Sequence, residues 1–311
     1  MADPQLAICA ADESFAIFLT LTVKDAVDAV TTLRRVAGGL PDLTVALAKQ
    51  VAEPSLVSAI AFGAGIWPRL YGQPQPPGLE PFAPLAQGGR VAPATPADVF
   101  LHIHSQRHDA NFALARAVIR DLGDAVAVVE EIHGFRTRGG RDLTGFVDGT
   151  ENPEGEERAP AALVADADAV FAAGSYVSVQ RYVHELGRWE RLSIADQEGA
   201  IGRTKADDQE MDDAVKPPSA HIARVVIEED GEELQIVRHS LPYGTTREHG
   251  LYFVAYGATP EPFRRMLRNM IESDSDGHHD RLLDFTRAVT GAALFAPSQD
   301  FLRDHGAAPG T

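Results

Sequence analysis

GFVDGTENP, residues 145–153, places two glycines, a proline, an asparagine and two carboxylates in nine positions. An Asp-Gly pair of this kind ordinarily marks a turn at a strand end. Three features point past a plain turn. RTRGGRDLT (136–144) runs directly into it, so the irregular stretch is long, and long irregular loops are commonly functional. Phe146 and Val147 flank Asp148 and would bury its carboxylate. A buried carboxylate needs a partner.

The segments on either side of this loop follow the same rhythm. Before it, apolar and β-branched runs predict strands at 15–23, 56–66, 98–105 and 125–135. Helical periodicity predicts a helix over 25–40, ending at the Gly38–Gly39 pair, and another over 111–123. A Pro/Gly-rich loop covers 71–89. After it, strands are predicted at 175–183, 221–227, 234–240, 250–257 and 292–298, the second and third pairing across the EEDGEE turn. Helical stretches are expected over 185–202 and 261–271. Strand–helix–strand–strand–helix–strand in the first half, repeated with one further strand in the second, predicts an α+β fold of duplicated ferredoxin-like units with antiparallel sheets. The expected halves are 1–150 and 151–311, with the polar, alanine-rich 151–169 as connector.

Composition narrows the function. The chain has 311 residues, 44% hydrophobic and 23% charged, with a formal net charge of -17. That acidity disfavours nucleic acid and anionic membrane surfaces as partners. Cys9 is the single cysteine, so no intrachain disulfide forms. No apolar run reaches membrane-spanning length and the N-terminal stretch has no basic leader pattern, so a cytoplasmic location is expected.

Other histidine, glycine and acid patterns are weaker. Alternation puts His102 and His104 on one strand face, but no ligand spacing accompanies them. They are expected to face solvent or a partner chain. His278 and His279 sit in a polar loop and read as solvated. The GxG at 63–65 lacks the third glycine of a dinucleotide fingerprint. EEDGEE lacks calcium-loop spacing.

Gly145, Asp148, Gly149 and Thr150, continuing into Glu151, Asn152 and Pro153, match a Gly-x-x-Asp-Gly-Thr motif. In this the chain resembles the dye-decolourising peroxidases, and GFxDGTENP is similar to the bacterial B-type subfamily. His221 in SAHIARVVI and Arg238 in QIVRHSLPYG match two further anchors in the same order. IGRTK (201–205), GLYFVAYG (250–257) and LLDFTRAVTGAALFAPS (282–298) extend the resemblance over nearly the whole chain.

The resemblance implies a haem b peroxidase. It would reduce hydrogen peroxide through an oxyferryl intermediate and oxidise aromatic donors such as dyes and phenols. His221 is implied as the axial ligand of the iron, with the haem mainly in the C-terminal half. A metal-bound histidine usually donates its second N–H to an acceptor, and Asp284 is the candidate acceptor. Asp148 is implied as the base on peroxide and Arg238 as the cation that stabilises developing charge. Arg203 is implied on the propionate side, helped by backbone N–H groups from Gly149 through Thr150 and Glu151 to Asn152. Phe253 is expected beside the haem. Ser240 stands where some members carry asparagine, which shortens its reach toward distal water. Trp67, Trp189 and Tyr252 are candidate electron relays by residue type. The alternative is a haem-binding or haem-iron-handling protein with little turnover. Family members are dimers to hexamers, so a homo-oligomer is expected. The tail FLRDHGAAPGT carries no evident encapsulin-docking peptide.

Overall fold

The computed structural model describes residues 2–11, 14–137, 139–229 and 231–306. Eight strands, labelled in chain order, form the frame: β1 (Phe15–Val23), β2 (Val57–Gly63), β3 (Val99–Ser105), β4 (Val126–Phe135), β5 (Ser175–His184), β6 (Leu241–Gly244), β7 (His249–Gly257) and β8 (Ala292–Ala296). All pair antiparallel. The N-terminal four run in the order β4-β1-β3-β2 and the C-terminal four in the order β6-β7-β5-β8. Numbered within each half, both orders are fourth-first-third-second, read from opposite ends. Tyr243↔Gly134 joins β6 to β4, and Leu294↔Gly63 with Phe295↔Phe62 joins β8 to β2. The eight strands therefore close into a ring.

Alternation sorts the side chains. Ile17, Leu19, Leu21, Leu101 and Ile103 pack under helices α1 (Ala29–Gln50) and α2 (His108–Leu122). Ala16, Phe18, Phe100, Val177, Val254 and Tyr256 fill the interior of the ring. Phe18 stacks on Tyr252 at 4.3 Å between ring centroids, so the two halves share one aromatic core.

Four expectations change. Helix α1 does not stop at Gly38–Gly39 but runs to Gln50, with Pro41 inside it. Gly38 serves close packing instead: a Cβ there would lie 2.6 Å from the Cα of Gly306 in the C-terminal helix (Gln299–Gly306). HIARVVI is not a strand. Its first five residues form helix α3 (His221–Val225). The following stretch does not pair with it either. Val237–Arg238 lies against β7, and the EEDGEE ladder is limited to Glu228–Glu229 with Glu232–Glu233. His102 and His104 do not face solvent. Ring closure buries both faces of β3, and they are 0% and 2% exposed, stacked on each other at 4.6 Å. Helix α4 (Glu261–Ile271) forms where expected.

Among the described residues no helix is long and apolar enough to cross a membrane. Trp67, Trp189 and Tyr252 are all buried. Residues 307–311 of the tail lie outside the described residues.

Phe18 has no solvent exposure and contacts both halves of the ring. Phe18→Ala should therefore lose about 3–5 kcal/mol of stability, the usual range for emptying an aromatic core site. A denaturant titration should show the midpoint fall, and an unchanged midpoint would refute a shared core.

Candidate functional site

In the N-terminal half, leucine and isoleucine fill the space between sheet and helices. The equivalent space in the C-terminal half is open, with about 1200 Å³ of empty volume reckoned out to solvent. Ser178, Gln180, Tyr182 and His184 of β5 line one side with Leu251 and Phe253 of β7, and helices α3 and α4 line the other. His221, Asp148, Arg238 and Ser240 all face this one cavity.

His221 is the first residue of α3, directly after KPPSA (216–220), with Ala220 in the extended region as its N-cap. Its Nδ1 donates to Asp280 Oδ2 at 2.6 Å. Asp280 is fully buried, and its other oxygen accepts the Leu282 N–H at 2.9 Å. The imidazole is 26% exposed, through the cavity side. Burial by itself lowers its pKa, and the Arg238 charge acts the same way. The Asp280 charge and hydrogen bond, helped by Asp148, outweigh both and hold it above the ordinary histidine value.

Opposite lies the loop that carries Asp148. Gly145 and Gly149 take φ of 89° and 88°, which only glycine adopts without strain. An isolated bridge joins Arg141 to Val147, and the Asp148 N–H donates to Gly140 O at 3.0 Å. Phe146 packs edge-on against Trp189, whose Nε1 donates to Thr144 O at 2.9 Å. Arg141 clamps the loop from outside, donating to Gly145 O at 2.8 Å and Lys205 O at 2.7 Å. These contacts aim Asp148 into the cavity. Asp142 lines it as well, its carboxyl pushed up to about 6 by burial and by the Asp148 charge, against hydrogen bonds from Thr144.

Asn152 is a brace. Its Nδ2 donates to Arg238 O at 2.9 Å and its Oδ1 accepts the Arg238 N–H at 2.8 Å. The loop that carries Asp148 is thereby locked to the strand segment that carries Arg238. Thr150 Oγ1 donates to Asp208 Oδ2 at 2.5 Å. Arg203 is engaged by Asp208 Oδ1 at 2.8 Å and by Glu151, which itself lines the cavity. Among the described residues four buried side-chain polar atoms lack a hydrogen-bond partner. Three of them, His184 Nε2, Arg238 Nε and Ser240 Oγ, belong to residues lining this cavity.

Comparison with known proteins shows the family. The family model "Dyp-type peroxidase, N-terminal" matches residues 5–136, and "Dyp-type peroxidase, C-terminal" matches residues 139–301. The chain belongs to the Dyp-type peroxidase family. It is 44% identical over 293 residues to a dye-decolorizing peroxidase of Mycobacterium tuberculosis, covering 93% of this chain and 87% of that one. Among solved structures it is similar to a dye-decolorizing protein from V. cholerae, with 44% identity, a TM-score of 0.89 and coverage of 96% and 99%. It is also similar to a variant of DypB from Rhodococcus jostii in complex with heme, at 38% identity, a TM-score of 0.93 and coverage of 96% and 97%.

Within the Dyp-type frame, the structure brings together His221, Asp148, Arg238, Ser240, Glu151 and Phe253 at one cavity. Gly149, Thr150, Asn152 and Arg203 stand behind its wall. Asp284 is corrected: its Oδ1 pairs with His279 Nε2 at 3.1 Å, and Asp280 holds His221 instead. The two aspartates are four residues apart, and a single turn of 3-10 helix (Arg281–Asp284) points them differently. The loop histidines are paired with acids, His278 to Asp274 and His279 to Asp284.

His184 was not singled out by the sequence. Thr286 Oγ1 donates to Val183 O at 3.3 Å and so accepts from His184 Nδ1 at 2.8 Å. That fixes the proton on Nδ1 and leaves Nε2 as a bare acceptor. Burial, with His249 nearby, lowers the His184 pKa to about 4. Unfolded, the same group titrates near ~6.5. Between those values the unfolded chain binds a proton that the folded chain refuses. Stability therefore rises with pH across this window and falls on acidification, by roughly 3 kcal/mol in all from this residue. His184→Gln should flatten the pH dependence of the urea midpoint between about pH 6.5 and 4. An unaltered slope would mean that His184 is protonated in the fold.

Proposed function

We propose that this protein is a haem b peroxidase of the B-type subfamily, which reduces hydrogen peroxide and oxidises aromatic donors such as dyes and phenols. One observation carries the reading. An imidazole fixed at Nδ1 by a buried carboxylate shares a cavity with a carboxylate and an arginine whose Nε has no partner.

The residues fit the cofactor. Nδ1 of His221 is already committed, so Nε2 is the atom that can bind iron, and the Asp280 charge makes it a stronger ligand. The Leu251 and Phe253 side chains offer apolar surface to a macrocycle, and the unpartnered Arg238 and Ser240 atoms offer polar groups to what it binds. Haem in this cavity would lie mainly against the C-terminal half. We further propose that residues 1–150 and 151–311 are two ferredoxin-like units, a reading supported by their matching strand orders.

A bound haem supplies the iron at which the peroxide O–O bond breaks. The chain supplies the proton traffic and the charge. Asp148 accepts the proton from one peroxide oxygen and returns it to the other, which turns a poor leaving group into water. Arg238 stabilises negative charge on the departing oxygen and favours the ionised form of Asp148 before it acts. Asn152 sets the spacing between them by holding both loop and strand. Ser240 Oγ is placed to hydrogen-bond water or peroxide on the same side.

The haem-loaded protein should show a Soret band that is lost or strongly shifted in His221→Ala. Asp280→Asn should weaken haem affinity by about 10–100-fold, the usual cost of losing the partner of a ligating histidine. A wild type without haem uptake would end the peroxidase reading. On rapid mixing with one equivalent of peroxide, Asp148→Asn should slow the first spectral change by about 10²–10⁴-fold if proton transfer limits it. Slowing confined to Arg238→Leu would assign the barrier to charge stabilisation instead.

A further inference from the structure

A second chamber adjoins the first, and Ser178, Phe263 and Leu267 line both. Beyond this shared wall, Phe82, Tyr176, Leu79, Leu294 and Pro260 enclose about 760 Å³ of empty space reckoned out to solvent. The walls are apolar and aromatic. The rim carries two cations one turn apart on α4, Arg264 and Arg268.

The two arginines are in different states. Arg264 donates to Gly78 O and to Glu80 Oε2, each at 2.9 Å. It pins the segment that forms part of the wall, and it neutralises Glu80, the one carboxylate among the lining residues described. Arg268 makes no side-chain hydrogen bond or ion pair among the described residues. On a chain of formal charge -17, an unanswered guanidinium over an aromatic-lined chamber is a local reversal of sign.

We infer that this chamber binds an aromatic anion, a carboxylate or sulfonate, with its ring among Phe82, Tyr176 and Phe263 and its charge on Arg268. The planar guanidinium fork matches a carboxylate or sulfonate, and aromatic walls favour a ring over an aliphatic chain. The inference rests on the peroxidase reading, for which it names the donor class: one layer of side chains separates such a donor from the cavity of His221.

Calorimetry on the haem-loaded protein without peroxide tests it, with 4-hydroxybenzoate and its neutral counterpart 4-hydroxybenzamide as probes. The acid should bind more tightly at low salt, and added salt should narrow the difference. Arg268→Glu should weaken the acid by about tenfold, combining a lost attraction with a new repulsion, and leave the amide unchanged. In turnover, KM for the acid should rise by the same factor, with kcat and the peroxide dependence unaltered. Ala83→Trp, at an exposed lining position, should weaken both probes by obstruction. Equal affinity for acid and amide, or indifference of the acid to Arg268→Glu, overturns the chamber while leaving the peroxidase reading in place. Charge-selective binding without turnover of any donor overturns the peroxidase reading and leaves the chamber standing.

Discussion

A carboxylate with no solvent exposure must find all its donors inside the protein, and Asp280 finds them on two elements. One oxygen takes the His221 N–H, the other the Leu282 N–H, and its own backbone N–H donates to Met270 O at 3.2 Å. One residue thus ties the start of α3 and the turn between α4 and β8 through its side chain, and the last turn of α4 through its backbone. The imidazole cannot rotate without stranding a buried charge, so its free nitrogen has one direction left. The same arrangement that satisfies the carboxylate selects the tautomer and fixes the aim of the ring.

A comparable brace stands on the other side of the cavity. Asp148 sits on an irregular loop, and Arg238 on a strand segment of two residues. Neither support is rigid alone. The Asn152 carboxamide occupies both main-chain groups of Arg238, as a neighbouring strand residue would, and converts two weak supports into one. This explains a sequence feature that chemistry at Asp148 does not: the motif continues past the aspartate to Asn152 and Pro153. Asn152 positions the loop, and Asp148 faces the cavity.

Much of this was legible in the sequence, and the parts that were not share a cause. Strands β1 to β5, β7 and β8 followed from alternation and turn residues, because these are local signals. HIARVVI begins a helix where a strand is expected because a short apolar run does not distinguish the two. Asp280 was missed in favour of Asp284 because both follow the same polar loop, and only the direction of one 3-10 turn separates them. His102 and His104 share one face of their strand, as alternation requires, but that face is not exposed. That the face was interior depended on closure of the ring through Tyr243↔Gly134 and Leu294↔Gly63, contacts between residues more than 100 positions apart.

The two halves share a strand order, yet the large cavity lies in the C-terminal one, and the difference lies in the row of side chains that faces the helices. In the N-terminal half that row is Ile17, Leu19 and Leu21, which collapse under α1. In the C-terminal half it is Ser178, Gln180, Tyr182 and His184. Tyr182 donates to Gln180 at 3.0 Å, and Gln180 reaches Ser178 at 3.5 Å, so the row satisfies part of its own hydrogen-bonding need and presents a finished polar surface. Helices α3 and α4 could close onto it only by burying polar groups against apolar side chains, which costs more than the contact returns. That polar row lines one side of the space, and His184 Nε2, at its end, is the atom whose hydrogen-bonding need the row itself does not meet.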